Sequence, residues 1–72
     1  MSEKERIELL EEIMELEEGT LSKDDLLENY EEWDSLTEIS LIAIMDEKFG
    51  KTLTGEDIKE YKTVADVIAV ME

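Results

Sequence analysis

The chain has no cysteine, no histidine and no proline. Without cysteine there is no disulfide staple, no zinc–thiolate site and no thiol nucleophile. Without histidine the commonest general base and the commonest metal ligand are missing. Without proline, no helical pattern is broken by a missing N–H or a ring clash. Basic residues are scarce too: seven, against 22 acids, for a net charge of −15. Nucleic acid and anionic membrane are therefore not expected as partners, whereas basic protein surfaces are. The same charge also serves plain solubility. Apolar runs are short; residues 41–45 form one, far below a membrane span. The first residues, Met1-Ser2-Glu3-Lys4-Glu5-Arg6, are charged and unlike a signal peptide. A soluble, cytoplasmic, monomeric protein is the expectation.

What is present fits one small domain over residues 1–72. Such a chain buries roughly 60 % of the surface its unfolded form exposes, so its core is modest. The charge is uneven. Residues 1–34 hold 14 acids and 3 bases, net −11, while residues 35–72 hold 8 acids and 4 bases, net −4.

Periodicity predicts an all-α protein. Ile7, Leu10 and Met14, widened by Leu9, Ile13 and Leu16, predict a first helix over residues 3–18. Ser2 and Glu5 supply its capping box and Gly19 its stop. Residues 20–33 form a long connection whose Leu21, Leu26, Leu27, Tyr30 and Trp33 pack it down, with a turn at 22–25 and both leucines inward. A second helix is predicted over 35–48, with Leu36, Ile39, Ile42, Ala43 and Phe49 on one stripe and Leu41, Ile44 and Met45 broadening it. Gly50 ends it. Thr54 caps a short helix over 55–60, and Thr63-x-x-Asp66 caps a last one over 64–71. The expected architecture is a four-helix bundle, three main helices and one short, with a long loop between the first two.

Trp33-Asp34-Ser35-Leu36 stands where the polar segment gives way to the second helix. Free backbone N–H groups and the positive dipole end favour negative charge at a helix start. A serine there is well placed to carry a phosphate ester. It is equally well placed to be a cap, since Ser35-x-x-Glu38 reads as a capping box and Asp34 is itself a good N-cap. A catalytic serine is not expected, because no histidine is present and no lysine lies near it in sequence. Asp24-Asp25 and Asp46-Glu47 are loose carboxylate pairs without an EF-hand pattern, and no metal site is expected.

The order of these features resembles the acyl carrier protein family: amphipathic helix, long loop, Asp34-Ser35-Leu36 heading a helix to Phe49, Gly50, a short helix, then Lys62-Thr63-Val64 opening the last. The resemblance covers nearly the whole chain. It implies a non-enzymatic carrier. A phosphopantetheinyl transferase would move 4′-phosphopantetheine from coenzyme A onto Ser35, and the arm's thiol would hold acyl intermediates as thioesters. Fatty-acid and lipid synthesis, or a specialised acyl pathway, would be the setting. By the same resemblance Asp34 helps hold the transferase's metal ion, and Leu36 is an exposed apolar contact for partner enzymes. The second helix is the docking surface, with Glu38, Asp46 and Glu47 matching its acids and Ile39 beside them. An acyl ligase or acyltransferase and a ketosynthase-type enzyme are the implied partners.

The chain departs from the family at particular positions. Ser40 stands where many fatty-acid carriers have an acid, and Lys48 adds a positive charge, which suggests dedicated partners. Glu32 replaces a frequent glycine and Trp33 a small residue; Trp33 would cover the mouth of the core, brace the arm or contact a partner. Ile39, Ile42, Ala43, Ile58, Tyr61, Ala65 and Ile68 line the expected bundle, as core first and as a cargo cavity second. Met1 and the capped first helix suggest a free-standing carrier. Two alternatives stay open: an aminoacyl or peptidyl carrier, and an unmodified acidic module that binds a basic protein.

Overall fold

The computed structural model describes residues 1–71. Its helices are α1 (Glu3–Ile13), α2 (Ser35–Phe49), α3 (Gly55–Lys59) and α4 (Val64–Ile68), with a 3₁₀ turn at Leu27–Asn29 in the long loop. Two helices are long and two are short. Among the described residues no strand forms; one isolated antiparallel bridge joins Leu26 and Thr63. No helix is long and apolar enough to cross a membrane.

Each helix begins on a side chain that replaces a missing backbone partner. Ser2 and Glu5, Thr54 and Asp57, and Thr63 and Asp66 all form reciprocal capping boxes. Asp34 caps α2 alone, its carboxylate accepting the Thr37 N–H at 3.0 Å. Lys62 and Thr63 N–H both donate to Asp66, and these bonds hold its carboxyl below the ordinary value.

The first helix is shorter than its periodicity predicts. It stops at Ile13, not at residue 18, because Glu15 takes a left-handed conformation (φ 58°). Leu16 N–H then reaches Glu11 C=O at 2.8 Å and Glu15 N–H reaches Glu12 C=O at 3.1 Å, the two bonds of a Schellman close. Glu11, buried on α1, accepts the Leu21 N–H at 2.8 Å and so draws the returning loop along the helix. Gly19 (φ 88°) therefore serves a turn between Glu17 and Thr20 and does not end the helix.

The core comprises Leu9, Leu10, Ile13 and Met14 from the α1 segment, Leu41 and Met45 from α2, Ile58 from α3, and Val64, Val67 and Ile68 from α4. Leu21, Leu27 and Met71 complete it. Met71 is fully buried although α4 ends at Ile68, since looser turns carry the chain on: Val70 N–H to Val67 C=O and Met71 N–H to Ile68 C=O, both 3.2 Å.

On α2 the buried face is Thr37, Leu41 and Met45, with Ile42, Ile44 and Phe49 half-buried. Leu36 is 74 % exposed, in keeping with an outward apolar contact, whereas Ile39 and Ala43, expected to line the bundle, are exposed too, Ile39 by 64 %. The helix is apolar on several sides, so spacing alone does not choose its inner face. Leu26 is likewise exposed where only Leu27 turns inward, since the backbone at Leu26 is extended and adjacent side chains there point to opposite sides. Gly50 (φ 64°) closes α2 as expected.

The long loop is ordered by hydrogen bonds. Asp25 accepts the Ser22 N–H (2.8 Å) and the Tyr30 hydroxyl (2.9 Å), and that second bond, with burial and nearby acids, pushes the Tyr30 phenol up. Leu27 N–H reaches Lys62 C=O at 2.9 Å. The loop's own carbonyls then complete the start of α4: Lys23 C=O takes the Ala65 N–H and Asp25 C=O the Val64 N–H.

Candidate functional site

Ser35 is the first residue of α2 and is exposed. The capping box open to it from the sequence does not form. Asp34 holds the cap, and Ser35 Oγ has no hydrogen-bond partner among the described residues. The N–H groups of Ser35 and Leu36 also find no acceptor there, whereas Thr37 N–H goes to Asp34 Oδ1 and Glu38 N–H to Asp34 C=O. A free hydroxyl thus stands beside two unpaired N–H groups, at the positive end of a 15-residue helix.

Thr37 fixes this arrangement. It is buried; its N–H donates to Asp34 and its hydroxyl to Glu32 C=O, so the loop end is tied over the first turn of α2. Its spacing from Asp34 is the signal by which the sequence exposes it.

Two clefts have sequence neighbours of the serine in their linings. One, of about 190 Å³, lies between the end of α1 and the start of α2, with Met14, Glu15, Glu32, Asp34, Leu36 and Thr37 among its lining. The other, of about 270 Å³, has Trp33, Lys59, Tyr61 and Lys62 among its lining. Trp33 is half-buried against the core, and its N–H donates to Tyr30 C=O at 3.1 Å. Burial first, then the charges of Asp57 and Glu60, push the Tyr61 phenol up.

Helical geometry sorts the remaining candidates. Leu36, Ile39, Ser40, Ala43, Asp46 and Glu47 are all exposed and share one face of α2 at the helical repeat. Glu38 is half-buried and falls off that face. Asp46 and Glu47 lie about 17 Å along the axis from Ser35, so they belong to the face and not to the serine's surroundings. Of the proposed cargo-lining residues, Ile58 and Ile68 are buried, Ile42, Tyr61 and Ala65 are half-buried, and Ile39 and Ala43 face solvent.

A family model described as "Phosphopantetheine attachment site" matches residues 7–71, nearly the full chain. The protein belongs to this family. No curated protein and no solved structure shows significant similarity to it. Its prosthetic group is accordingly 4′-phosphopantetheine, held covalently. Proteins of this family are carriers modified by other enzymes and are not catalysts themselves. This carrier therefore needs a phosphopantetheinyl transferase and partner biosynthetic enzymes.

Proposed function

We propose that this carrier holds acyl intermediates on a phosphopantetheine arm attached to Ser35. The observation that supports this most is the division of labour between neighbours: Asp34 caps α2, which leaves the Ser35 hydroxyl exposed and unbonded. Two unpaired N–H groups beside it suit the negative charge of a phosphodiester. On attachment, Ser35 Oγ would displace adenosine 3′,5′-bisphosphate from coenzyme A. The phosphoanhydride bond breaks, the new phosphate ester forms, and the hydroxyl proton passes to the transferase or to solvent. The bound group supplies a terminal thiol, the sulfur that the chain itself lacks.

The chain's residues do the rest. Thr37 and Asp34 hold the first turn of α2 in place, so the hydroxyl sits on a rigid element. Asp34 keeps one carboxylate beside the serine for the transferase's metal ion. Leu36 and Ile39 offer apolar contact, with Asp46 and Glu47 further along the same face, to a partner of apolar and basic character. The absence of an acid at Ser40 and the positive charge of Lys48 on the same helix favour dedicated partners: a matched ligase or acyltransferase and a ketosynthase-type enzyme.

The test is intact mass after incubation with coenzyme A and a broad-specificity transferase. A gain of one phosphopantetheine, absent in Ser35→Ala, is expected. No gain with several transferases would sink the reading. Loading by fatty-acyl ligases but not by amino-acid-activating enzymes is expected in addition.

A further inference from the structure

We propose that the cleft between Trp33 and Tyr61 receives the end of the carrier's own cargo, and that Lys59 and Lys62 select an acyl group ending in a carboxylate. This rests on attachment at Ser35. Trp33 is two residues before Ser35, so one side of the cleft begins within about 7 Å of the serine's backbone. A tethered group can fold back that far without leaving the protein.

The chemistry of the cleft differs from that of the rest of the surface. The chain carries −15, and most of its surface would repel an anion. Here two of its seven basic residues, three positions apart, line the same cleft as an indole. The backbone of Lys62 is fixed at both ends, its N–H donating to Asp66 at 2.9 Å and its C=O accepting from Leu27 at 2.9 Å. Lys59 closes α3. Trp33, Tyr61 and the exposed Leu26 give apolar surface for methylenes, and the two ammonium groups would give charge-assisted hydrogen bonds to a carboxylate. Glu28 lines the same cleft, and Asp66 sits beside Lys62. Those acids disfavour a bare anion from solution, so the selection depends on the tether's high effective concentration.

Size points the same way. At about 270 Å³ the cleft is smaller than pockets for drug-sized ligands, so it suits a short chain. The core offers no ready substitute on its inner faces, since Leu10, Leu41, Met45, Val64, Val67 and Met71 are fully buried against one another's elements.

Trp33 is the chain's one tryptophan and reports directly on the cleft. The transferase is used to load wild type from glutaryl-coenzyme A and, separately, from pentanoyl-coenzyme A, each product confirmed by intact mass. Acrylamide quenching of Trp33 is then compared. The expected result is at least twofold weaker quenching with the glutaryl group than with the pentanoyl group. That difference should disappear in Lys59→Gln/Lys62→Gln and persist in Lys48→Gln, a lysine outside the cleft. Equal quenching with both cargoes, or a difference that survives in the double variant, overturns the selection while leaving the carrier reading intact. Failure of any acyl-coenzyme A to add mass overturns the carrier reading and this one with it.

Discussion

The starts of α2 and α4 are built from the same local grammar and finished in opposite ways. Each has an N-cap side chain that accepts the N–H three residues on, Asp34 to Thr37 and Thr63 to Asp66. At α4 the next two donors are also satisfied: Val64 N–H reaches Asp25 C=O at 3.0 Å and Ala65 N–H reaches Lys23 C=O at 2.9 Å. At α2 the equivalent donors, on Ser35 and Leu36, have no acceptor among the described residues. Val64 is fully buried and Ser35 is exposed. One helix start is sealed by the loop, and the other keeps two N–H groups without a partner among the described residues. A cap fixes where a helix begins, and the surroundings decide whether its remaining donors are sealed or left free.

The comparison can be broken by exchanging roles at the first helical position. Val64→Ser should cost about 3 kcal/mol, because it removes core volume and buries a hydroxyl. Ser35→Ala should change stability by less than about 0.5 kcal/mol, since that hydroxyl holds nothing. Urea denaturation measures both, and a large loss in Ser35→Ala would mean that the serine is the cap.

The caps themselves come next. Asp34→Ala and Thr63→Ala should each cost about 1 kcal/mol. Asp34→Asn should keep most of that stability, because an amide oxygen still accepts the Thr37 N–H, yet slow transfer of phosphopantetheine severalfold by removing the charge. Equal transfer rates for wild type and Asp34→Asn would separate Asp34 from the transferase.

Glu15→Gly should stabilise the protein by about 1 kcal/mol, since glycine carries no penalty for the left-handed turn that ends α1. No rise in the urea midpoint would refute strain at that position.

The smallest effect concerns acid. Asp66 is held below its ordinary value in the folded state, so its contribution is fully present above the ordinary carboxylate range and fades as pH falls through the lowered value. Urea midpoints taken from pH 5 downwards should fall less steeply in Asp66→Asn than in wild type. Parallel acid limbs would show that the α4 cap carries no such linkage.

Much of this was readable from local spacing. Ser2 with Glu5, Thr54 with Asp57 and Thr63 with Asp66 mark three helix starts by residues three apart, and Gly50 marks one end. Two things were not readable. The end of α1 is set at Glu15, a non-glycine residue in a left-handed conformation, and the Glu11–Leu21 N–H bond spans ten residues; no 3.6-residue pattern encodes either. The inner face of α2 is chosen by its neighbours, so Leu41 and Met45 are buried while the equally apolar Leu36 and Ile39 are not. At the site, Asp34 and Ser35 stood out in sequence, but which of them capped the helix had to come from geometry. Trp33 stood out as well, whereas its companions in the cleft, Lys59 and Lys62, become neighbours only through the fold.

The most direct test of an open α2 start is to locate the modification within the chain. Fragmentation mass spectrometry of the protein after reaction with coenzyme A and transferase should find one phosphopantetheine, on Ser35, with Thr63 and every other hydroxyl unmodified. A modification at any other residue, or none at Ser35, would contradict the account.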